Sequence, residues 1–205
     1  MALDGTYVGL QATVATWMHR TDLTAVIPDF VVMAESRIAR DLRVLSQISP
    51  ATLTVTAGNR LVAVPSGWLQ FDNLSLMTNP VANLSLISLD QMDTQFPDGI
   101  GPEPPRVYAM SGTNIVLAPT PDIGYTLTAS YFSRFPALAT AGGNWLLTNF
   151  PNVYLFAVLA EACAYAQDDE RAPLWNKRYN EEVEQVQFVD DRGAQSGSML
   201  RVRIL

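Results

Sequence analysis

Apolar positions recur every three or four residues at both ends of this chain and every second residue through its middle. Residues 6–20 place Tyr7, Leu10, Val14, Trp17 and Met18 at helical spacing, with Asp4 or Thr6 as the N-cap. After the break at Thr21–Asp22, Pro28 stands where a first helical turn accepts proline. Phe30, Val31, Ala34, Ile38 and Leu42 then trace a second helix face, with Asp29 and Glu35 in its early turns. Arg37, Arg40 and Arg43 fall towards its C-terminal end, where positive charge complements the helix dipole.

From residue 50 the period becomes two. Leu53 and Val55 alternate with Thr52, Thr54 and Thr56 in a strand over Ala51–Ala57, and Gly58–Asn59 turns the chain into Arg60–Val64. Further strands are predicted over Trp68–Met77, Leu84–Ser88, Arg106–Met110, Asn114–Ala118 and Tyr125–Ser133. Leu89–Phe96 reads as a short helical excursion, and the proline-rich run Pro97–Pro105 as a surface loop.

Helical spacing resumes after Gly142–Gly143. Val153–Ala166, entered through Pro151, is apolar almost all round and should be the central helix. Asp168–Asp169–Glu170 separates it from a last helix over about 170–191, striped by Trp175, Tyr179, Val183 and Val186, with Gly193 as its expected stop. The predicted class is α+β. Terminal helix pairs (1–50 and 134–193) form an antiparallel bundle, and 51–133 forms an inserted antiparallel, sandwich- or barrel-like β-rich domain.

Residues 194–205 are expected to be a flexible arm. Gln195–Ser196–Gly197–Ser198 is a polar linker, after which Leu200, Val202 and Ile204 alternate with Arg201 and Arg203. Such a segment has three fates: pairing with the chain's own β insert, disorder, or addition to a partner's sheet edge or groove, the reading the linker favours.

Composition narrows the function classes. The 205 residues carry a net charge of −7, which argues against a general nucleic-acid binder. The single cysteine, Cys163, excludes an internal disulfide framework. The start MALDGTYVGL lacks the basic and apolar stretches of a secretory leader, and Val153–Ala166 is too short for a bilayer span. Neither a membrane partner nor a cofactor is expected.

Candidate chemistry is sparse. His19 has no second histidine with which to build a zinc site, Cys163 lies inside the most apolar helix, and no nucleophile elbow or phosphate-binding glycine loop occurs. Asp168, Asp169 and Glu170 are the one candidate set for a divalent-metal hydrolase, although consecutive residues at a helix junction point apart and Asp168 or Asp169 suits an N-cap. No catalytic and no metal residue is therefore assigned. Arg37, Arg40 and Arg43 suit a solvated face or inter-subunit ion pairs better than DNA contact. Residues 161–191 hold nine acidic and three basic side chains.

Several stretches, in order, resemble the phage head-to-tail adaptor family found beneath the portal. They begin with Tyr7-x-x-Leu10 through Trp17-Met18-x-Arg20-x-Asp22-Leu23, then Pro28-x-Phe30 and Met33-Ala34-Glu35-x-Arg37-Ile38-x-Arg40-Asp41-Leu42-Arg43. Leu53-Thr54, Gly58, Val62-Ala63-Val64-Pro65 and Trp68-Leu69 follow. Next come Pro105-x-x-Tyr108-Ala109, Gly112, Ile115, Leu117-Ala118-Pro119-x-Pro121, Tyr125 and Tyr131. The last set is Asn144-Trp145-Leu146-Leu147, Pro151, Tyr154-Leu155, Leu159-Ala160-Glu161-Ala162, Asp168-Asp169-Glu170-Arg171 and Trp175.

The resemblance implies a structural virion protein at the head-tail junction, not an enzyme, made in the bacterial host cytoplasm. It implies a ring of identical subunits, expected to be a dodecamer, docked to a dodecameric portal protein and offering a platform to a downstream tail or nozzle protein. Double-stranded DNA would pass through its channel without sequence-specific binding, and if residues 161–191 line that channel, Glu181, Glu182 and Glu184 are the candidates for keeping DNA from sticking. In such adaptors the C-terminal segment reaches the portal, which assigns Ser198, Met199, Leu200, Arg201, Val202, Arg203, Ile204 and Leu205 to a portal-binding arm. A stopper, tail terminator or tail-tube protein is the alternative within the same class.

Overall fold

The computed structural model describes residues 3–20, 22–99, 101–168 and 170–195, and its class is α+β. The chain divides into two compact units, one comprising Met1–Ser46 with Phe135–Leu205, the other Gln47–Arg134.

The first unit is helical. Helix α1 (Tyr7–Met18) begins at Thr6, whose hydroxyl accepts the Gly9 amide at 3.0 Å, so Thr6 is the cap. Asp4 supports it by accepting both the amide and the hydroxyl of Thr6, at 3.0 and 2.7 Å. Helix α2 (Ile27–Asp41) has Pro28 in its first turn. It buries Phe30, Val31, Ala34 and Ile38 and leaves Val32, Met33, Ser36 and Arg40 on the outside.

In the second half of this unit, α6 (Pro151–Tyr165) buries ten of its fifteen residues and packs against α1, α2 and α7 (Ala172–Gln195). This is the all-round apolar helix at the centre. Its Tyr154, Leu155, Val158 and Leu159 meet Leu10 and Val14 of α1, Ile38 of α2, and Tyr179, Val183 and Val186 of α7 in one core. Each such side chain contributes roughly 1.5–3 kcal/mol of burial free energy as an upper bound. A single Leu155→Ala change would cost about 2–5 kcal/mol because the neighbours cannot fully close the hole.

Two short helices escape the periodicity, α4 (Leu138–Ala141) and α5 (Trp145–Asn149). Each is too brief to show a repeat, yet Leu138, Leu146 and Leu147 are fully buried. Between them Gly142 takes φ 74°, and a side chain on Gly143 would stand 2.9 Å from the Gly5 carbonyl oxygen. The close approach lets the Tyr7 amide donate to the Gly142 carbonyl at 2.8 Å, fixing the start of α1. Gly193 does not stop α7, which runs through it to Gln195. A glycine ends a helix only where the chain must turn left-handed; within an exposed helix it costs about 1 kcal/mol and is tolerated.

The second unit is a β-sandwich of two four-stranded sheets. One has the order β1 (Ile48–Val55), β8 (Tyr125–Ser133), β3 (Trp68–Leu76), β4 (Ala82–Asn83). The other runs β2 (Leu61–Ala63), β7 (Asn114–Ala118), β6 (Val107–Ser111), β5 (Ser85–Leu86). The alternation is kept: Val55 and Leu127 point inward with Leu74, Leu76, Ile115 and Leu117, while Thr52 and Thr54 face out.

Two details depart from the expected all-antiparallel insert. β5 pairs with β6 in parallel, because α3 (Leu89–Gln95) and the loop after it carry the chain back to the same end. β1 begins at Ile48 and includes Pro50, which sits on an edge strand where a missing N–H is harmless.

Candidate interaction surfaces

The structure sorts the three arginines of the first helix pair. Arg37 is held within its own unit. Its Nη1 donates to Asn176 Oδ1 at 2.6 Å, its Nε lies 3.6 Å from Asp41, and its guanidinium stands 4.1 Å from the Tyr179 ring centroid. Arg43 turns back along the chain and donates to the carbonyls of Ala39 and Leu42 at 2.7 and 2.6 Å. Arg40 is different. It is exposed on α2, near enough to α7 for its charge to act on the Tyr179 phenol, and the described residues give its guanidinium no hydrogen bond or ion pair.

Around Arg37 the polar contacts rise together along two helices. Arg37 meets Asn176, Asp41 accepts from the Tyr179 phenol at 2.9 Å, and the Leu45 amide donates to Asp190 at 3.0 Å. α2 and α7 therefore run parallel, both laid on α6. Burial, with the carboxylate of Asp41 beside it, pushes the Tyr179 phenol well above its ordinary value.

The three glutamates of α7 do not form one patch. Glu182 turns towards α6 and accepts from Asn152 at 3.3 Å. Glu181 and Glu184 are exposed and line a shallow depression with Gln185 and Phe188. Glu181 has only a 3.8 Å contact with Lys177, at solvent-exposed ends. Phe188 is 62% exposed, and Leu174, two heptads earlier on the same face, is 46% exposed. These two apolar positions are absent from the sequence reading. The seven-residue spacing of Leu174, Glu181 and Phe188 is the signal that points to them.

Of the acidic trio, Asp168 is tied to the start of the last helix. Asp168 accepts the Arg171 amide at 3.3 Å and pairs with the Arg171 guanidinium at 3.3 Å, so its carboxylate serves the start of α7. Asp169 lies outside the described residues. Among the described residues no three His, Cys, Asp or Glu side chains are grouped as a metal site requires. Cys163 is buried, and burial raises its thiol above the usual range, the opposite of what a reactive thiolate needs. His19 ends α1 in a left-handed conformation. Residues 198–205, the arm from Ser198 to Leu205, lie outside the described residues.

In the β unit, Leu86, Leu89 and Met110 border a second shallow surface depression with Ile87, Ser88 and Gln91. Among the described residues no helix is long and apolar enough to cross a membrane.

No curated protein matches the chain. The family model described as SU10 adaptor protein matches residues 5–203, nearly its whole length. The chain belongs to the SU10 adaptor protein family and is thus a bacteriophage adaptor protein.

Proposed function

We propose that this chain is the head-to-tail adaptor of a tailed phage, a structural virion protein with no catalytic role. It forms a ring of identical subunits, a dodecamer matching a dodecameric portal protein, and sits at the head-tail junction. The ring extends the DNA channel and presents a platform to the next tail or nozzle protein. The observation that carries this reading is the family match over residues 5–203.

The physical properties of the chain agree with it. A closed ring needs two different faces on each subunit, related by a rotation that closes. The outward faces of α2 and α7 offer one cation and one acidic-apolar stripe. A net charge of −7 lets double-stranded DNA pass without being gripped, since few cations are available to displace its counterions. Residues 198–205, with Leu200, Val202 and Ile204 alternating with Arg201 and Arg203, are the portal-binding arm.

Electron microscopy of the purified chain mixed with the portal protein of the same phage tests the reading. Rings stacked on the portal are expected. Light scattering of the chain alone should report a monomer, because the arm engages only on the portal. Deleting 194–205 should abolish portal binding while leaving the fold intact. A chain that stays a single 22.5 kDa species with portal present would overturn the proposal.

A further inference from the structure

Resting on the adaptor reading, we propose that the ring closes by packing α2 of one copy, in parallel, on the exposed heptad stripe of α7 in the next copy. Met33 lies against Leu174, and Arg40 pairs with Glu181.

A closed ring has rotation about one axis and no translation along it, so neighbouring copies stand at the same height. In a twelve-fold ring each step turns a helix by at most roughly 30°. The direction that α2 and α7 have relative to one another inside a copy is therefore nearly kept between copies. Inside a copy they run parallel, so the contact between copies must be parallel too. An antiparallel match of the same faces is excluded, however good its chemistry.

Height adds a second condition. Inside a copy, residues joined across α2 and α7 differ in number by 139 for Arg37 and Asn176, by 138 for the side chains of Asp41 and Tyr179, and by 146 for Gln187 and the Asp41 carbonyl. For helices running along the ring axis, partners across the interface must have nearly the same offset. Met33 and Leu174 differ by 141, and so do Arg40 and Glu181. That offset of 141 falls inside the internal range of 138 to 146, within five residues, or ~8 Å of helix, of each internal contact.

Both proposed pairs are thus in one register, and that register is one that ring closure allows. Met33 and Arg40 are seven residues apart on α2, as Leu174 and Glu181 are on α7, so each pair lies along a single face.

The chemistry on the two faces is complementary. Met33 is 52% exposed and meets an exposed leucine. Arg40, with no hydrogen bond or ion pair among the described residues, meets a carboxylate held only by a long contact to Lys177. Ser36, between Met33 and Arg40, allows the helices to approach. Phe188, one heptad beyond Glu181, is offset by 143 from the exposed Leu45 just past the end of α2, two residues from the same register, and extends the apolar contact. This places Glu181 between subunits, not on the channel wall.

The test uses the full chain assembled with the portal protein of the same phage. Arg40→Glu and Glu181→Arg should each lower the fraction of chain in rings at least tenfold, measured by mass photometry. The double exchange should restore it to within about twofold of wild type. Independently, Met33→Cys with Leu174→Cys should give, under mild oxidation, a ladder of covalent oligomers up to the ring number. Cys163 alone should give none.

Two results together would overturn this interface and leave the adaptor reading standing: ring assembly that neither charge reversal disturbs, and introduced thiols at positions 33 and 174 that do not cross-link. No ring from the wild-type chain would overturn the adaptor reading, and the interface with it.

Discussion

The phenol of Tyr179 donates a 2.9 Å hydrogen bond to the carboxylate of Asp41, tying the last helix to the last residue of α2. Tyr179→Phe keeps the packing and removes the bond, so stability should fall by about 1–2 kcal/mol. Tyr179→Ala opens a cavity in the core and should cost about 3–5 kcal/mol. Urea unfolding curves separate the two. Equal midpoints for wild type and Tyr179→Phe would show that the hydroxyl contributes nothing.

Alkaline stability follows from the same phenol and from Tyr154. Burial raises both above the ordinary tyrosine range; the Asp41 carboxylate adds to the effect at Tyr179, and a hydrogen bond from Asn144 opposes it at Tyr154. In the folded chain they keep their protons above pH ~10, where an unfolded tyrosine loses its own. The unfolded state then binds fewer protons, so stability falls as pH rises from about 10 towards the folded-state values. Absorbance in the near ultraviolet, where tyrosinate absorbs, should show these two phenols ionising only on unfolding. Early titration of all seven tyrosines would contradict the burial.

Glu35 reaches across the sequence to accept the amide of Leu138 at 2.7 Å, and Leu138 is fully buried. Glu35→Ala leaves that amide at the start of α4 without an acceptor. The expected loss is about 1–3 kcal/mol. Glu35→Gln, whose amide oxygen can take the bond, should recover most of it.

Cys163 should be inert towards a disulfide reagent in the native protein. Its thiol is buried and its ionisation disfavoured, first by burial and then by the charge of Asp168. Labelling should become fast only at denaturant concentrations that unfold the helical unit. Rapid native labelling would place the thiol at the surface.

Asp168→Ala should lower stability by about 1 kcal/mol through the lost cap at the start of α7. Addition of divalent cations should not protect the wild-type chain against heat. Protection would revive the reading of the acidic trio as a metal site.

Apart from the all-round apolar α6, the long elements were legible in the sequence because each buries one face, and one buried face enforces one period. Phe30, Ala34 and Ile38 could be read as a stripe, and Leu53 and Val55 as an alternation, without knowing their partners. α4 and α5 were not legible, since four or five residues do not complete a repeat. The parallel β5–β6 pair was hidden for another reason: two residues carry no direction. At the surfaces the residue types were visible but their orientations were not. Arg37, Arg40 and Arg43 look equivalent in sequence, and only packing shows that two are held internally. Glu182 differs from Glu181 by one helical step of about 100°, enough to turn it from open solvent to Asn152.

The helical unit is assembled from two stretches of chain separated by the whole β unit, from Gln47 to Arg134. A ribosome making roughly 5–20 residues per second needs about 5–20 s to pass those intervening residues. Throughout that time Phe30, Ile38 and Leu10 have been synthesised, whereas α6, which must cover them, has not. The β unit is continuous and can finish first. A nascent chain of this kind exposes a greasy N-terminal hairpin for many seconds and is a natural client for a holding chaperone. Rare codons placed after Arg134 would lengthen that vulnerable interval and lower the soluble yield.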